Sequence, residues 1–328
     1  MRLAVSFIVS ITVTVAAGLL LIPALRKLKA GQSIREDGPT WHNKKQGTPT
    51  MGGLMFIIGI TAATLIAGAS YIGEGSYGLP LILLFGLVYG AIGFADDYVK
   101  VKKKQNLGLT AAKKFLLQLV VAAALLILMR YSGNLSTEIY IPFVNYTFSI
   151  PEPLYYVFAA IVAVGTVNAV NITDGVDGLA TGVSIPVGIC FVMLSFLWGN
   201  SAIGVVAAAL TGGLAGFLIF NFHPAKVFMG DTGAQFLGGI ICAVAFAFGV
   251  PLILIPLGFV FFVETLSDII QVGFYKLTHG RRVFKMAPLH HHFEMCGWSE
   301  VKLFAVFTLV SAVFAVISYY GVFYRGVL

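Results

Sequence analysis

The chain has 328 residues, of which 58% are hydrophobic and 11% are charged. This composition excludes a soluble globular domain, in which about a quarter of the residues are charged. The formal net charge of +7 suits anionic lipid headgroups and phosphorylated substrates better than nucleic acid. We therefore predict a membrane partner and no nucleic-acid partner.

Apolar runs of about 20 residues, the length that crosses roughly 30 Å of hydrocarbon, recur along the whole chain. The first run ends in basic residues and is predicted to be retained rather than cleaved as a leader. The predicted fold is an all-α integral membrane protein, one polytopic domain over residues 1–328. Its ten predicted spans are 3–25, 53–70, 79–95, 113–131, 154–171, 180–198, 202–220, 232–249, 251–275 and 303–324.

The positions of lysine and arginine predict the orientation, because cytoplasmic loops carry an excess of both. Of the 21 such residues, all but Arg2, Arg130 and Arg325 lie in loops that follow odd-numbered spans. Those loops are predicted to be cytoplasmic, and both termini to be outside. A small hairpin is predicted on the outer side within 132–152. The predicted catalytic loops are 26–52, 96–112, 171–180, 221–231 and 276–302.

The first of these loops is basic and glycine-rich over residues 43–53. Lys45 and the backbone amides of this stretch suit phosphate or carbonyl oxygens. The alternative is that the loop supplies only cytoplasmic positive charge and a cap for the second span.

Asp96 and Asp97 are adjacent at the inner end of the third span, with Lys100 one turn further on. Such a pair is suited to a general base or to a metal-facing site. The alternative is a helix end that points its acids at cytoplasmic water, although acids at a helix C-terminus oppose the helix dipole.

Polar residues recur at every third position where the fifth span ends: Asn168, Asn171, Asp174 and Asp177. This spacing keeps the first of them near one helix face, and Gly175 and Gly178 allow a turn and a close backbone approach to a ligand. The pattern predicts a pocket for a base and a ribose. A turn rich in Asn and Asp is the alternative, and the fragment of a calcium loop found here is incomplete.

Asn221 and Asp231 bracket the short loop between the seventh and eighth spans. Asp231 is predicted to cap the eighth helix, and a hard oxygen ligand at a helix start also suits a magnesium–diphosphate. Phe228, in the same loop, is suited either to stack on a base or to anchor the loop at the membrane interface.

The long loop after the ninth span contains three consecutive histidines, His290, His291 and His292. Consecutive side chains rarely converge on one ion, so hydrogen bonding to phosphates or sugar hydroxyls is the favoured role. Upstream, Glu264 and Asp268 belong to a polar stripe with Gln271. A structural interpretation, in which this face pairs with neighbouring helices, is preferred for the stripe.

Five motifs together resemble the bacterial phospho-N-acetylmuramoyl-pentapeptide-transferases, a branch of the polyprenyl-phosphate N-acetylhexosamine-1-phosphate transferases. The resemblance covers essentially the whole chain, in order. The motifs lie at 47–53, 96–97, 171–179, 228–233 and 288–294.

The resemblance implies an activity, a location and partners. Phospho-MurNAc-pentapeptide would move from UDP-MurNAc-pentapeptide to undecaprenyl phosphate, giving lipid I and UMP in peptidoglycan biosynthesis, with Mg²⁺ as cofactor. The protein would be a multi-pass protein of the bacterial plasma (inner) membrane with a cytoplasmic active site, and a homodimer.

The resemblance also implies roles for individual residues. It implies Asp231 as the metal ligand and Lys100 and Lys113 as contacts for the lipid phosphate. The implied catalytic residues are Asp96, Asp97, Asp231 and His290. The implied nucleotide- and sugar-binding residues are Lys45, Thr50, Asn171, Asp174, Gly175, Asp177, Asn221, Phe228 and His291.

Two alternatives stay open at this point. A transporter for a phosphorylated solute is expected to have charges near the membrane midplane, whereas the acids here lie at span ends. A sister transferase that uses UDP-GlcNAc is closer, but the histidine loop at 288–294 resembles the muramoyl-pentapeptide branch.

Overall fold

The computed structural model describes residues 1–28, 45, 47–103, 105 and 107–326, and most of these residues are helical. The predicted loops 26–52 and 96–112 therefore lie partly outside the described residues. The helices are α1 (Arg2–Lys27), α2 (Gly53–Gly73), α3 (Gly78–Lys103), α4 (Ala111–Tyr131), α5 (Glu152–Thr173), α6 (Leu179–Leu197), α7 (Ser201–Asn221), α8 (Gly230–Ala247), α9 (Leu254–Leu257), α10 (Phe259–Leu277), α11 (Leu289–Glu294) and α12 (Glu300–Val322).

Within the described ranges, nine helices are long and apolar enough to cross a membrane. A tenth span would be the pair Pro251–Leu257 and Phe259–Leu277, whose axes are bent by 81°. The prediction of an all-α membrane protein is confirmed. The ninth predicted span, 251–275, is not one continuous helix, because Pro256 lacks an N–H and Gly258 is a poor helix former.

The hairpin predicted within 132–152 is present. Strand β1 (Glu138–Ile141) pairs antiparallel with β2 (Tyr146–Ser149). Between the strands, the Phe143 backbone N–H donates to Gly321 O at 2.6 Å, which ties the hairpin to the last turn of α12.

Glycines allow the helices that carry the acidic motifs to approach closely. A Cβ at Gly93 of α3 would lie 2.1 Å from the backbone oxygen of Asp231 on α8, and one at Gly53 of α2 would lie 2.2 Å from Gly233 Cα. Small residues at such crossings are typical of helices packed in membranes. The crossing at Gly93 brings the end of α3 against the first turn of α8.

A polar network crosses the bundle one turn below these acids. The Gln118 side chain on α4 donates to Asn168 of α5 at 3.4 Å and to Gln235 of α8 at 3.2 Å. Asn168 donates back to Gln118 at 2.8 Å. Polar side chains in a membrane bundle need such partners, and this set fixes the relative positions of α4, α5 and α8.

Candidate active site

Three carboxylates from two helices converge at one end of the bundle. Asp96 and Asp97 of α3 and Asp231 of α8 place ligand oxygens within 4.8 Å of one another. Asp96 and Asp97 are buried, at 3% and 2% exposure. Residues that are 134 positions apart in the chain (Asp97 and Asp231) therefore form one acidic cluster.

Asp97 caps the N-terminus of α8 from the neighbouring helix. Its Oδ1 accepts from Asp231 N at 3.2 Å, and its Oδ2 accepts from Thr232 N at 2.9 Å and Thr232 Oγ1 at 2.7 Å. These amides are among the donors that a helix start leaves unpaired. The prediction that Asp231 caps this helix is wrong, since α8 begins at Gly230 and the Asp231 carboxylate turns instead to two lysines.

The two lysines partly neutralise the cluster. Lys100 Nζ lies 2.6 Å from Asp96 Oδ2 and 3.0 Å from Asp231 Oδ2, and Lys114 Nζ lies 2.6 Å from Asp231 Oδ2. Lys113, the lysine that the resemblance implied, is exposed and has no ion pair among the described residues. With all five groups ionised, the cluster carries one net negative charge.

The donor set of this cluster fits a hard divalent cation. All three candidate ligands, Asp96, Asp97 and Asp231, offer carboxylate oxygens, which Mg²⁺ prefers over nitrogen or sulfur. The cluster's net negative charge favours the same occupant. Asp97 already accepts three hydrogen bonds from α8, whereas the Asp231 carboxylate contacts the two lysines through Oδ2.

Asp174 connects this cluster to the turn after α5. Burial and then the nearby charges of Asp231 and Asp97 raise the pKa of the Asp174 carboxyl well above its usual range, while a hydrogen bond from the Gly230 backbone opposes the rise. Asp174 is therefore close enough to Asp97 and Asp231 to interact with them electrostatically.

A second polar cluster orders four segments beside the first. Lys45 Nζ lies 2.7 Å from Asp177 Oδ1 and 2.5 Å from Glu300 Oε2. Asp177 Oδ2 also accepts from Ala225 N at 3.0 Å and lies 3.0 Å from His223 Nδ1. Asp177, His223 and Glu300 are close enough to hold a cation, but the Lys45 ammonium lies between the two carboxylates. We interpret the cluster as an ion-pair network.

Two residues with implied roles in substrate binding have structural partners. The Asn221 side chain is buried, accepts from Thr181 Oγ1 at 2.8 Å and donates to Val227 O at 3.0 Å. The Phe228 backbone accepts from Gly52 N and donates to Pro49 O, each at 2.8 Å. Both residues therefore hold the 221–229 loop, and Phe228 joins it to the loop before α2.

Three more residues with implied roles in substrate binding are Thr50, Asn171 and Gly175. Thr50 is buried beside Gly230. The Asn171 side-chain nitrogen is buried and has no hydrogen-bond partner within the described residues. Gly175 packs against a histidine: a Cβ there would lie 2.2 Å from His290 Nε2.

The three histidines have separate partners. His290 is buried and its Nδ1 lies 2.9 Å from Glu264 Oε2, while His291 Nδ1 lies 2.7 Å from Glu294 Oε2. His292 Nδ1 accepts from the Lys285 backbone at 3.1 Å. Each ring contacts a different partner, so the three histidines do not form a single metal site in this arrangement.

Comparison with known proteins places this geometry in a family. Residues 79–249 match Glycosyl transferase family 4, and residues 45–57 match the phospho-N-acetylmuramoyl-pentapeptide-transferase signature 1. The phospho-N-acetylmuramoyl-pentapeptide-transferase of Staphylococcus carnosus is 48% identical over 309 residues, 93% of this chain and 95% of its own length.

Two further relatives agree. The proteins of the same name from Caldanaerobacter subterraneus and Geobacillus thermodenitrificans are 46% and 45% identical, and each comparison covers 96% of both chains. The chain belongs to the phospho-N-acetylmuramoyl-pentapeptide-transferase family. The resemblance inferred from the five motifs is thereby confirmed.

Family membership and geometry coincide at several positions. The signature at 45–57 contains Lys45 and Thr50, and the longer match at 79–249 contains all three acids of the cluster. His290 and Glu300 lie beyond that match, but the alignments to whole relatives cover most of the chain.

The sequence analysis missed four residues that the structure brings to these clusters: Lys114, Thr232, His223 and Glu300. Lys113 was assigned in place of its neighbour Lys114, and Thr232 and His223 lie within predicted segments, 228–233 and 221–231, without a role of their own. A signal existed for Glu264, since an ionisable residue inside an apolar span is costly, but it was interpreted as structural. Glu300 offered no signal beyond a helix N-terminal acid.

A test of the Asp174 environment follows from the sign of its pKa shift. A carboxyl whose pKa is raised by folding binds its proton more tightly in the folded state, so its contribution to stability is lost as the pH rises through the folded-state pKa. Asp174→Asn is therefore expected to raise the melting temperature of detergent-solubilised protein in EDTA at pH 8. The gain should shrink towards pH 5. A lower melting temperature at pH 8 would contradict this electrostatic environment.

Proposed function

We propose that this protein transfers phospho-MurNAc-pentapeptide from UDP-MurNAc-pentapeptide to undecaprenyl phosphate, giving lipid I and UMP. Its relatives bear the name of this activity. The observation that carries the proposal is the cluster of three carboxylates and two lysines, Asp96, Asp97, Asp231, Lys100 and Lys114. Carboxylates that can hold a divalent cation beside lysine ammonium groups suit phosphoryl transfer.

The proposed setting is the bacterial inner membrane, with a multi-pass chain, both termini outside and the active site at the cytoplasmic face. The excess of lysine and arginine in alternate loops supports this orientation. It places the acidic cluster where a soluble nucleotide and an inner-leaflet lipid phosphate meet. A homodimer and a single membrane domain over 1–328 belong to the same proposal.

The chemical step requires charge neutralisation more than covalent chemistry. An oxygen of the lipid phosphate attacks the sugar-side phosphorus of the donor, a new P–O bond forms, and the bond to UMP breaks. Lys100 and Lys114 are positioned to neutralise the charge that develops on the phosphates. We propose Mg²⁺ on Asp231, where it would offset the negative charge of the diphosphate. The Asp96–Asp97 pair is proposed as the base or nucleophile.

Substrate contacts are proposed for the surrounding clusters. Lys45, Asp177, Asn221 and Phe228 are assigned to uridine. Asn171 fits a direct role, because its buried amide nitrogen has no hydrogen-bond partner in the described part of the chain. The donor sugar is assigned to Thr50, Asn171, Asp174, Gly175, His290 and His291. Lys113, exposed at the start of α4, is assigned with Lys100 to the lipid phosphate.

One assay tests the proposed function. Purified protein in detergent is supplied with Mg²⁺, undecaprenyl phosphate and radiolabelled UDP-MurNAc-pentapeptide, and lipid-linked label and UMP are measured. UDP-GlcNAc is the matched control donor. Transfer from UDP-MurNAc-pentapeptide is expected, and preferential transfer from UDP-GlcNAc would instead support the sister transferase.

The adjacent lysines of α4 provide a matched pair of variants. Lys114→Met is expected to lower kcat by about 10²-fold, because it removes a cation from the reacting phosphates. Lys113→Met is expected to raise KM for undecaprenyl phosphate and to leave kcat near that of the wild type. Steady-state kinetics with both substrates varied distinguishes the two effects. Equal losses of kcat would contradict the separation seen in the structure.

A further inference from the structure

A buried acid–histidine pair, Glu264 and His290, lies beside the candidate site. The sequence analysis interpreted Glu264 as structural. Glu264 of α10 is 0% exposed and His290 of α11 is 1% exposed. His290 Nδ1 lies 2.9 Å from Glu264 Oε2, and the His290 backbone N–H donates to Oε1 of the same carboxylate at 3.2 Å. One carboxylate therefore holds both the backbone and the ring of His290.

This contact determines which ring nitrogen is free. An ionised carboxylate can only accept hydrogen bonds, so the proton of a neutral His290 ring lies on Nδ1. Nε2 then carries a lone pair and acts as an acceptor. A second-shell carboxylate of this kind also fixes the orientation of the ring.

Nε2 is directed at the turn that carries Asp174. It is buried and has no hydrogen-bond partner in the part of the chain that the structure describes. Gly175, which is itself exposed, covers it, since a Cβ at that position would lie 2.2 Å from Nε2. A buried acceptor without a donor is unfavourable, and only the backbone of an exposed glycine separates this one from the substrate region.

We propose that Glu264 is a positioning residue for the donor substrate. By holding Nδ1–H, it directs the Nε2 lone pair of His290 at the 174–175 turn. When Gly175 shifts away from the ring, Nε2 accepts a hydrogen bond from a hydroxyl or amide N–H of the bound sugar-peptide donor. The proposal rests on the proposed function for the identity of the donor. A Cβ at position 175 would lie 2.2 Å from Nε2, so the close approach of this turn to the His290 ring requires glycine.

Other charged groups also face His290. Asp268 lies one turn beyond Glu264 on α10, close enough to interact electrostatically with both members of the pair. The His291 ring is 4.2 Å away on the same helix, and Asp174 lies in the turn next to Gly175. A test must therefore separate the hydrogen bond of Glu264 from its charge and from its support of α11.

The tautomer is measured directly and needs no turnover. Protein labelled with ¹⁵N-histidine in nanodiscs at pH 8 gives ring nitrogen shifts, and the His290 signals are identified by their loss in His290→Gln. A protonated Nδ1 and an unprotonated Nε2 are expected in the wild type, with a shift towards the other tautomer in Glu264→Gln. A wild-type ring protonated at Nε2 would overturn the proposal.

A double-mutant cycle tests whether Glu264 acts through His290. Glu264→Gln and His290→Gln are each expected to lower kcat/KM for UDP-MurNAc-pentapeptide by about 10²-fold, and the double variant should be no worse than His290→Gln. Asp268→Asn removes a nearby charge without the hydrogen bond and should stay within about threefold of the wild type. Additive losses would overturn the proposal.

The outcomes separate this inference from the proposed function. An inactive wild type would contradict the proposed function, while the tautomer measurement would still decide the role of Glu264. An active wild type with additive losses would contradict only the role of Glu264. If Glu264→Gln does not fold, Glu264→Asp replaces it in the cycle, and the wild-type tautomer decides the question.

Discussion

Asp231→Asn is expected to lower kcat by about 10³-fold, with the protein still folded. Asp231 is the shared partner of Lys100 and Lys114 and is the proposed metal ligand. Its loss leaves two ammonium groups without a shared carboxylate and weakens the cation site. Lipid I formation is measured across a Mg²⁺ titration, beside a melting curve.

Metal removal gives the complementary result. EDTA is expected to abolish wild-type activity and added Mg²⁺ to restore it, whereas added Mg²⁺ should not restore the activity of Asp231→Asn to the wild-type level. Glu152→Gln is the matched control, because Glu152 is an acid at the start of α5 that pairs with Arg130 at 3.1 Å, away from the cluster. Full activity of Asp231→Asn in EDTA would contradict the metal assignment.

Asp97→Asn is expected to lower kcat by about 10²-fold or more while binding of the UDP donor changes little. Asp97 is assigned to the step at the lipid phosphate, and Lys100 lies 3.8 Å from its Oδ1. Isothermal calorimetry measures binding and steady-state kinetics measures turnover. Equal losses in binding and in rate would indicate a role in nucleotide binding.

The structure adds a second expected effect at this position. The three donors Asp231 N, Thr232 N and Thr232 Oγ1 are bound by two carboxylate oxygens of Asp97, and an asparagine amide offers only one oxygen. Asp97→Asn should therefore also lower the melting temperature. Thr232→Val separates the effects, because it removes one hydrogen bond of the cap at 2.7 Å and keeps the charge of Asp97. It should lower the melting temperature and retain most of the turnover. A large loss of kcat in Thr232→Val would show that the cap alone accounts for the result.

Several site residues were predictable because their signal is local. Asp96, Asp97 and Asp231 were found as acids at the ends of apolar runs, where charge is costly without a function. Lys45 and Asp177 were found in polar, glycine-rich loops, and the structure places the two 2.7 Å apart. Their mutual distance was not predictable, because 132 positions separate them.

Other assignments depended on side-chain direction. Lys113 and Lys114 are adjacent in the first turn of α4, and only helix packing decides which one meets Asp231. The cap of α8 was assigned to Asp231 because the N-cap rule considers only residues at the start of the helix itself. The structure supplies that cap from Asp97 on another helix, which no local rule anticipates.

The sequence by itself determined that this is a helical membrane protein of the phospho-N-acetylmuramoyl-pentapeptide-transferase family, because the length of an apolar run and the order of motifs are properties of the linear chain. Only the tertiary structure decided how the chemistry is assembled. Close approach at Gly93 joins α3 to α8, and the bend at Gly258 precedes the helix that carries Glu264 to His290. Such contacts depend on the three-dimensional packing of helices that are distant in sequence, which hydrophobic periodicity does not encode.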